Sequence, residues 1–439
     1  MIKDVGLNLE DLIEDKPEEE LFRYHRSALT SPEILEIERR KIFDKSWLYL
    51  GHESEVPNPG DYKRRNIAGR PIFFIRGRQS GEVNVLYNTC IHRGAVVCRH
   101  DEGNAKALQC FYHAWTYDTE GNLIGLPDEK AYGGFWSKEK MGLKPVRAEN
   151  YRGLIFVNFD PDAEDLVTYL AGAREYIDIV IDTAEEAVRY YEGSSDSENS
   201  SDSLGMEVLR GTHLYGVKAN WKLLAENSYD AYHVAPTHES YMRYLKDMGH
   251  EPEAPSEGTQ KDLGNGHAVM QAVLPWGRTI SKWSPMFGED AKEDMDALRD
   301  HIINKFGEER GRLMTDFDRN LVIFPNLVIN DIMSLVFRTF YPTRPDYMEA
   351  TQWEFVPKGE RPDLRAKRLD AFLTFLGPGG FATPEDTEAM ESCQQGFRAD
   401  LVEWSYLSRG FQHDPPSPID EHQLRTWWRE WHRRMLAEE

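Results

Sequence analysis

The chain has 439 residues and a formal charge of −23, from 75 acidic against 52 basic side chains. That length points to two domains rather than one. The acidic balance opposes a nucleic-acid partner, which needs a basic face, but leaves room for an anionic small molecule beside a local Arg.

Hydrophobic residues make up 40% of the chain, with 11 Trp, 20 Tyr and 20 Phe, enough for a large packed core. The N-terminal twenty residues are acidic and lack the apolar stretch of a signal peptide. No run of 18 apolar residues occurs, so no membrane partner is expected and the cytoplasm is the default location. Residues 18–46 read as helical, with apolar positions at three- and four-residue spacing and a Ser31-Pro32-Glu33 start signal. From 47 to 160 the pattern changes to short apolar runs separated by Gly, Asn, Asp and Pro, the mark of a small all-β domain. Residues 117–122 read as a hairpin turn within it.

Residues 192–203 are acidic, Ser-rich and without apolar side chains, and read as a surface loop or linker. A second hydrophilic stretch covers 250–266. The remainder mixes helix and strand. Residues 220–233, 363–376 and 384–405 read as helices, and the runs LVIFPNLVIN, SLVFRTFYP and TQWEFVP as strands. The expected fold is therefore α+β: an all-β domain at 47–160, and a catalytic domain from 1–46 and 161–439 with an antiparallel sheet flanked by helices.

Chemistry concentrates first at Cys90-Ile91-His92 and Cys110-Phe111-Tyr112-His113, with 17 residues between His92 and Cys110. Each knuckle supplies one thiolate and one imidazole. A Rieske [2Fe–2S] centre needs two Cys on one iron and two His on the other, and two neighbouring hairpin tips of this kind satisfy both. The same four residues are also a zinc set, although zinc fingers usually pair both Cys in one knuckle and both His in the other. The other two cysteines, Cys98 and Cys393, have no partner motif and read as packed thiols. Four cysteines are too few for a disulfide-stapled domain. With Arg93-Gly94 after the first His and Ala114-Trp115 after the second, the motif resembles the Rieske domain of aromatic-ring-hydroxylating oxygenases, in their large (α) subunits.

An O₂-activating mononuclear Fe(II) needs two His and one carboxylate on one face, with positions left open. His233 and His238 offer the imidazoles, the first near a helix end and the second from the turn after Pro236. Asp230, three residues before His233, is placed to accept that ring's second N–H and fix its orientation. The segment resembles the family's iron-binding helix. The resemblance makes His233 and His238 ligands and Asp230 the bridge to a Rieske His, either His92 or His113, of a neighbouring subunit. Asn227 lies three residues before Asp230, one fewer than in some members. The segment 383–391 resembles the family's last ligand helix, which assigns Asp386 as the third ligand, with Glu385 as rival. By its own pattern Thr383-Pro384 also reads as a helix start, with Asp386 completing a cap.

No Gly-rich dinucleotide fingerprint follows an expected strand, so reducing power must come from a ferredoxin or reductase. The resemblance implies a homotrimer or an α₃β₃ assembly with a small β subunit. It also implies addition of O₂ to an aromatic ring as a cis-dihydrodiol, with electrons from NAD(P)H. The strand region 319–340 is expected to line the pocket. There Arg338 is either a bidentate anchor for a substrate carboxylate or an ordinary ion pair, and Arg278 is equally open. The reading leans to an aromatic carboxylate. A Rieske monooxygenase or demethylase would use the same ligands, while a non-enzymatic Rieske electron carrier would lack the mononuclear iron.

Overall fold

The computed structural model describes residues 6–438, apart from 134–135, 194–204, 250–256, 275 and 279. The chain forms two compact units, one of residues 44–166 and one of residues 1–43 with 167–439. Together they make the mixed α+β fold expected from the sequence. Residues 194–203 of the Ser-rich stretch lie outside the described residues. Among the described residues no helix is long and apolar enough to cross a membrane.

The smaller unit is built from antiparallel strands. Four of them run in the order Val83–Tyr87, Arg70–Arg76, Asp61–Ile67, Glu102–Asn104. Three more run in the order Arg147–Tyr151, Leu154–Asn158, Leu48–His52. A short third sheet of Leu123–Gly125, Thr116–Tyr117 and Leu108–Gln109 carries the second knuckle at its hairpin tip. Residues 118–122 turn as expected, with Asp118 N–H donating to Asn122 O at 2.9 Å and Gly121 at φ +90°. Phe73, Ile75, Leu86, Trp115 and Tyr117 pack with Cys90, Cys98 and Cys110 into one core beneath the knuckles.

The larger unit is organised on an eight-stranded antiparallel sheet. The strand order is Met206–Val208, Tyr347–Pro357, Ser334–Arg344, Leu327–Ile332, Asp318–Ile323, Ala268–Ala272, Gly258–Asp262; His213–Val217 also pairs with Tyr347–Pro357. The central strands are buried along nearly their whole length, which is why they read as continuous apolar runs rather than alternating ones. Phe324-Pro325-Asn326 joins two of them, and Asn326 Nδ2 closes the bend on Phe340 O at 2.8 Å.

Three helical expectations are corrected. Residues 18–46 are not one helix. Leu21–His25 is a strand, alternately buried at Phe22 and Tyr24, paired with Ile13–Lys16 and with Trp404–Tyr406. Its apolar spacing also fits period two, and the distant Trp404–Tyr406 partner decides the outcome. The helix begins only at Pro32, where Ser31 Oγ accepts from Ile34 N–H at 3.2 Å. The expected 384–405 helix runs Ala382–Gly396 and gives way to that edge strand. The expected 220–233 helix stops at Asn227.

Glu38, Lys222, Trp221 and Trp431 fix how the helices meet. Lys222 Nζ donates to Glu38 Oε1 at 2.5 Å, and the indoles of Trp221 and Trp431 each donate to Glu38 at 2.8 Å. Both charged side chains are fully buried. Glu226, half-buried, accepts from Trp428 Nε1 at 2.7 Å and from Tyr24, and desolvation lifts its carboxyl to about 7.

Removing one partner of a buried, hydrogen-bonded pair leaves the other charge uncompensated. Glu38→Gln should therefore lower unfolding free energy by about 3–5 kcal/mol, read from the urea midpoint. Because the folded-state value of Glu226 lies above the unfolded one, its contribution is present below pH about 4.5 and lost as pH rises through about 7. Glu226→Gln should flatten that part of the Tm-versus-pH curve, removing on the order of 3 kcal/mol of slope-derived change.

Candidate metal centres

The two knuckles of the smaller unit close in the same way. Cys90 N–H donates to Ala95 O at 2.8 Å and Gly94 N–H to Cys90 O at 2.8 Å. Cys110 N–H donates to Trp115 O at 2.8 Å and Ala114 N–H to Cys110 O at 3.0 Å. The fourth residue after each Cys takes a left-handed turn, Gly94 at φ +75° and Ala114 at φ +55°. Gly reaches that conformation freely, whereas Ala there carries a local cost of order 1 kcal/mol.

These loops bring the His92 and His113 rings to 4.4 Å between centroids, at 73°. His92 stacks flat on Trp115 at 5.0 Å. Cys90 and Cys110 are buried and form no disulfide. The Cys90 Sγ lies 3.2 Å from the Tyr117 hydroxyl. Buried His92 Nδ1 has no hydrogen-bond partner. A buried ring nitrogen left bare is costly, and a metal is what would satisfy it. Burial first, then the nearby His113 and Arg93 charges, hold His92 below the ordinary imidazole value, which favours the neutral, ligating form. The two loops thus bring the His92 and His113 rings together, with Cys90 and Cys110 buried in the core that packs beneath. Cys98 is packed beneath them as expected, but Cys393 is exposed on the Ala382–Gly396 helix, contrary to expectation.

In the larger unit, Asn220 caps the Trp221–Asn227 helix by accepting from Lys222 N–H at 3.1 Å. Ser228 Oγ folds back onto Leu224 O at 2.6 Å as the helix ends. Tyr229 and Gln423 then exchange hydrogen bonds: Tyr229 OH donates to Gln423 O at 3.2 Å, and Gln423 Nε2 to Tyr229 O at 2.9 Å. This clamps the irregular segment that leads to His233. Pro236 does not break a helix before His238 but sits inside the one-turn helix Val234–Thr237, which His233 precedes and His238 follows. Early in a helix Pro is tolerated, because its missing N–H has no partner to lose.

The opposing helix, Ala382–Gly396, is tied to the same cap, since Asn220 N–H donates to Gln394 Oε1 at 2.8 Å. Thr383 does not cap it: its hydroxyl donates to Leu376 O at 2.7 Å, and Asp386 turns inward. Asp386 Oδ1 lies 3.2 Å from His233 Nε2 and 3.3 Å from His238 Nε2. One ligand atom from each of the three lies within 4.8 Å of the others. Two imidazoles and one carboxylate facing one point, with the rest of the sphere open, fit a non-haem Fe(II).

Each ring is held from behind. His233 Nδ1 is 3.2 Å from Asp230 Oδ2, and His238 Nδ1 is 2.9 Å from Glu385 Oε2, whose other oxygen accepts from Ser240 Oγ. Glu385, the rival ligand in the sequence, therefore faces the far side of His238. Its adjacency to Asp386 hid this, because neighbouring residues on a helix point in different directions. Asn227 Nδ2 donates to Asp386 Oδ1 at 3.0 Å and lies 3.4 Å from His233 Nε2. Burial pushes His233 down, but the Asp230 and Asp386 carboxylates outweigh it and raise the imidazole to about 10. Burial also pushes Asp386 up, and the two His more than reverse that, holding it well below the usual carboxylate range.

The three residues line a cavity of about 880 Å³. Aromatic and aliphatic side chains form most of its wall, including Trp276, Phe375, Leu376 and Ile332. Of the expected 319–340 lining, Asn320, Asn330, Ile332 and Arg338 reach it. Arg278 does not: it makes a bidentate pair with Asp331 at 2.7–3.0 Å, and Arg319 shares the same carboxylate at 2.9 Å. Asp331 lies 53 residues along the chain from Arg278, a partner that local sequence does not reveal.

A Cys₂His₂ cradle on one unit and a His–His–carboxylate cluster on the other define the class of Rieske-type iron oxygenases. The Rieske [2Fe-2S] domain family matches residues 46–145, and the ring hydroxylating alpha subunit (catalytic domain) family matches residues 185–438. Toluate 1,2-dioxygenase subunit alpha of Pseudomonas putida is 33% identical, over 94% of this chain and 87% of its own. The 2-halobenzoate 1,2-dioxygenase large subunit of Burkholderia cepacia is 30% identical, over 94% and 85%. The solved structure of naphthalene 1,2-dioxygenase with indole bound in its active site has a TM-score of 0.81 at 25% identity, covering 98% of this chain and 95% of that one. The chain belongs to the large (α) subunits of the Rieske ring-hydroxylating oxygenases. It is an enzyme with a [2Fe–2S] cluster and a non-haem Fe(II) as cofactors.

Two substitutions would separate a candidate ligand from its support. Asp386→Asn should abolish iron retention, whereas Glu385→Gln should weaken it about 10–100-fold, both by metal analysis after dialysis with the Rieske EPR signal intact. Tyr117→Phe removes a hydrogen bond to the Cys90 sulfur. It should lower the cluster potential by on the order of tens of millivolts in an EPR-monitored redox titration.

Proposed function

We propose that this protein is the terminal oxygenase of a multicomponent dioxygenase acting on an aromatic carboxylate. The observation that carries the substrate class is Arg338. It lines the cavity, is only 3% exposed, and has no carboxylate partner among the described residues. A buried charge is costly unless paired. Its neighbour Gln352, oriented by its hydrogen bonds, accepts from Arg338 Nε at 2.6 Å and Nη2 at 2.7 Å. Gln352 also accepts from Tyr215 OH at 3.1 Å and donates to Leu376 O at 3.0 Å. Of the five guanidinium donors two are thereby used, and the rest are left for an anion. Two of the relatives above are named for aromatic acids, toluate and halobenzoate, which supports the reading.

His233, His238 and Asp386 are the proposed iron ligands, and Cys90, Cys110, His92 and His113 the cluster ligands. When bound, these groups activate O₂ with electrons that a separate ferredoxin or reductase draws from NAD(P)H. Both oxygen atoms add to the ring as a cis-dihydrodiol, with two electrons from the donor and two protons from solvent. Arg338 fixes the carboxylate and so sets which ring carbons face the metal, while the apolar wall excludes water from the ring. Asp230 and Glu385 hold the two imidazoles in the tautomer whose Nε2 is free to ligate. Asp230 keeps about a fifth of its side chain exposed, and is the proposed link to a Rieske His of a neighbouring subunit in a trimer or α₃β₃ assembly.

Arg338→Gln should cut kcat/KM for benzoate at least 100-fold and leave a neutral arene such as toluene within a few-fold. Equal losses on both would refute the anchor. With ¹⁸O₂ the product should carry two labelled oxygens, where a monooxygenase would leave one. Asp230→Asn should leave the cluster reducible by its donor but block its reoxidation when substrate and O₂ are added. Normal reoxidation would remove Asp230 from the path.

A further inference from the structure

Arg338 is not the only polar group on the cavity's sheet wall. Met270, Asn320, Asn330 and Val336 lie directly opposite one another across four strands and so share a face. Arg338 lies two residues from Val336 along its strand, on that same face. Asn330 Nδ2 donates to Asn320 Oδ1 at 2.7 Å. This bond fixes the Asn320 amide and leaves its Nδ2 without an acceptor among the described residues. Asn330 is 4% exposed, and its Oδ1 is buried with no partner. Asn320 is less buried and lines the cavity beside Leu274, Trp276 and Ile332. An amide pair that the protein leaves half satisfied on an apolar wall costs free energy when a purely hydrocarbon ring covers it.

We propose that Asn320, held in place by Asn330, is a second specificity residue. It donates a hydrogen bond to an oxygen substituent on the ring, so the preferred substrate is an aromatic acid that also carries a hydroxyl. The inference rests on the carboxylate reading above and extends it. Asn320 and Arg338 stand two strands and two residues apart, about 12 Å on the diagonal of the sheet. That span suits a carboxylate and a hydroxyl set across the ring, at the 3- or 4-position, rather than on adjacent carbons. A site built to bond a hydroxyl rejects the analogue that lacks it far more strongly than an apolar pocket distinguishes a methyl group.

Equilibrium binding to the oxidised holoenzyme, without reductant, tests this directly. The ligands are benzoate and 2-, 3- and 4-hydroxybenzoate, together with toluene and 4-methylphenol. The wild-type protein should bind 3- or 4-hydroxybenzoate at least tenfold more tightly than benzoate. In Asn320→Leu and Asn320→Ala that preference should collapse to within about twofold, through a loss of hydroxybenzoate affinity relative to benzoate, with the Rieske EPR signal unchanged. An unchanged preference in both variants, no preference in the wild type, or a gain only with 2-hydroxybenzoate would overturn it. If carboxylates bind no better than neutral rings, the Arg338 reading fails alone. The ratio of 4-methylphenol to toluene then still reads Asn320, and its collapse in the variants supports the proposal while its persistence refutes it.

Discussion

Glu38 has no exposed surface and receives three hydrogen bonds, from Lys222, Trp221 and Trp431. Those residues belong to the N-terminal helix, the helix that leads into the metal site, and the C-terminal helix. Carboxylate and ammonium attract strongly where water is excluded, but only while both are present and every remaining proton is bonded. The contact therefore specifies one arrangement of the three helices rather than merely adding stability. From it the order of the site follows: Asn220 caps the same helix and ties in the Ala382–Gly396 helix by donating its N–H to Gln394, and that helix presents Asp386 to the two histidines.

The two histidines are reached by different routes. His238 is backed by Glu385, which sits on the helix that also supplies Asp386, so one element sets both a carboxylate and a ring. His233 is backed by Asp230, from an irregular segment clamped by Tyr229 and Gln423. Asn227 spans the gap by donating to Asp386. The carboxylates behind the rings do as much to define the centre as the groups that face the metal.

What could be read from sequence follows how local each signal is. The candidate cluster residues stood out in the sequence because two Cys and two His fall within 24 positions, and two short loops need little help from the rest of the fold. The His233–His238 pair gained meaning only beside that motif, and Asp386 only from resemblance, since its partners lie about 150 residues away. Non-local pairing hid the rest. The strand at Leu21–His25 exists because Trp404–Tyr406 lies beside it, and Arg278 is structural because Asp331 reaches it from another strand. The Trp-rich helix His422–Leu436 carries no motif, yet it supplies two of the indoles that fix the carboxylates of Glu38 and Glu226. The cap expected at Thr383 gave way because its hydroxyl found Leu376 O, leaving Asp386 free to turn inward.

Arg338 is a buried cation without a carboxylate partner among the described residues, in a chain whose formal charge is −23. For an anionic ring, the two act over different distances. At long range the protein as a whole repels the ligand, and only within the cavity does the guanidinium dominate. Capture is thus a barrier followed by a well, the reverse of an enzyme that draws its substrate in from afar. Dissolved salt screens the outer repulsion more than the buried attraction. An organism with a salty interior would find such an enzyme faster at meeting its substrate, with its selectivity intact.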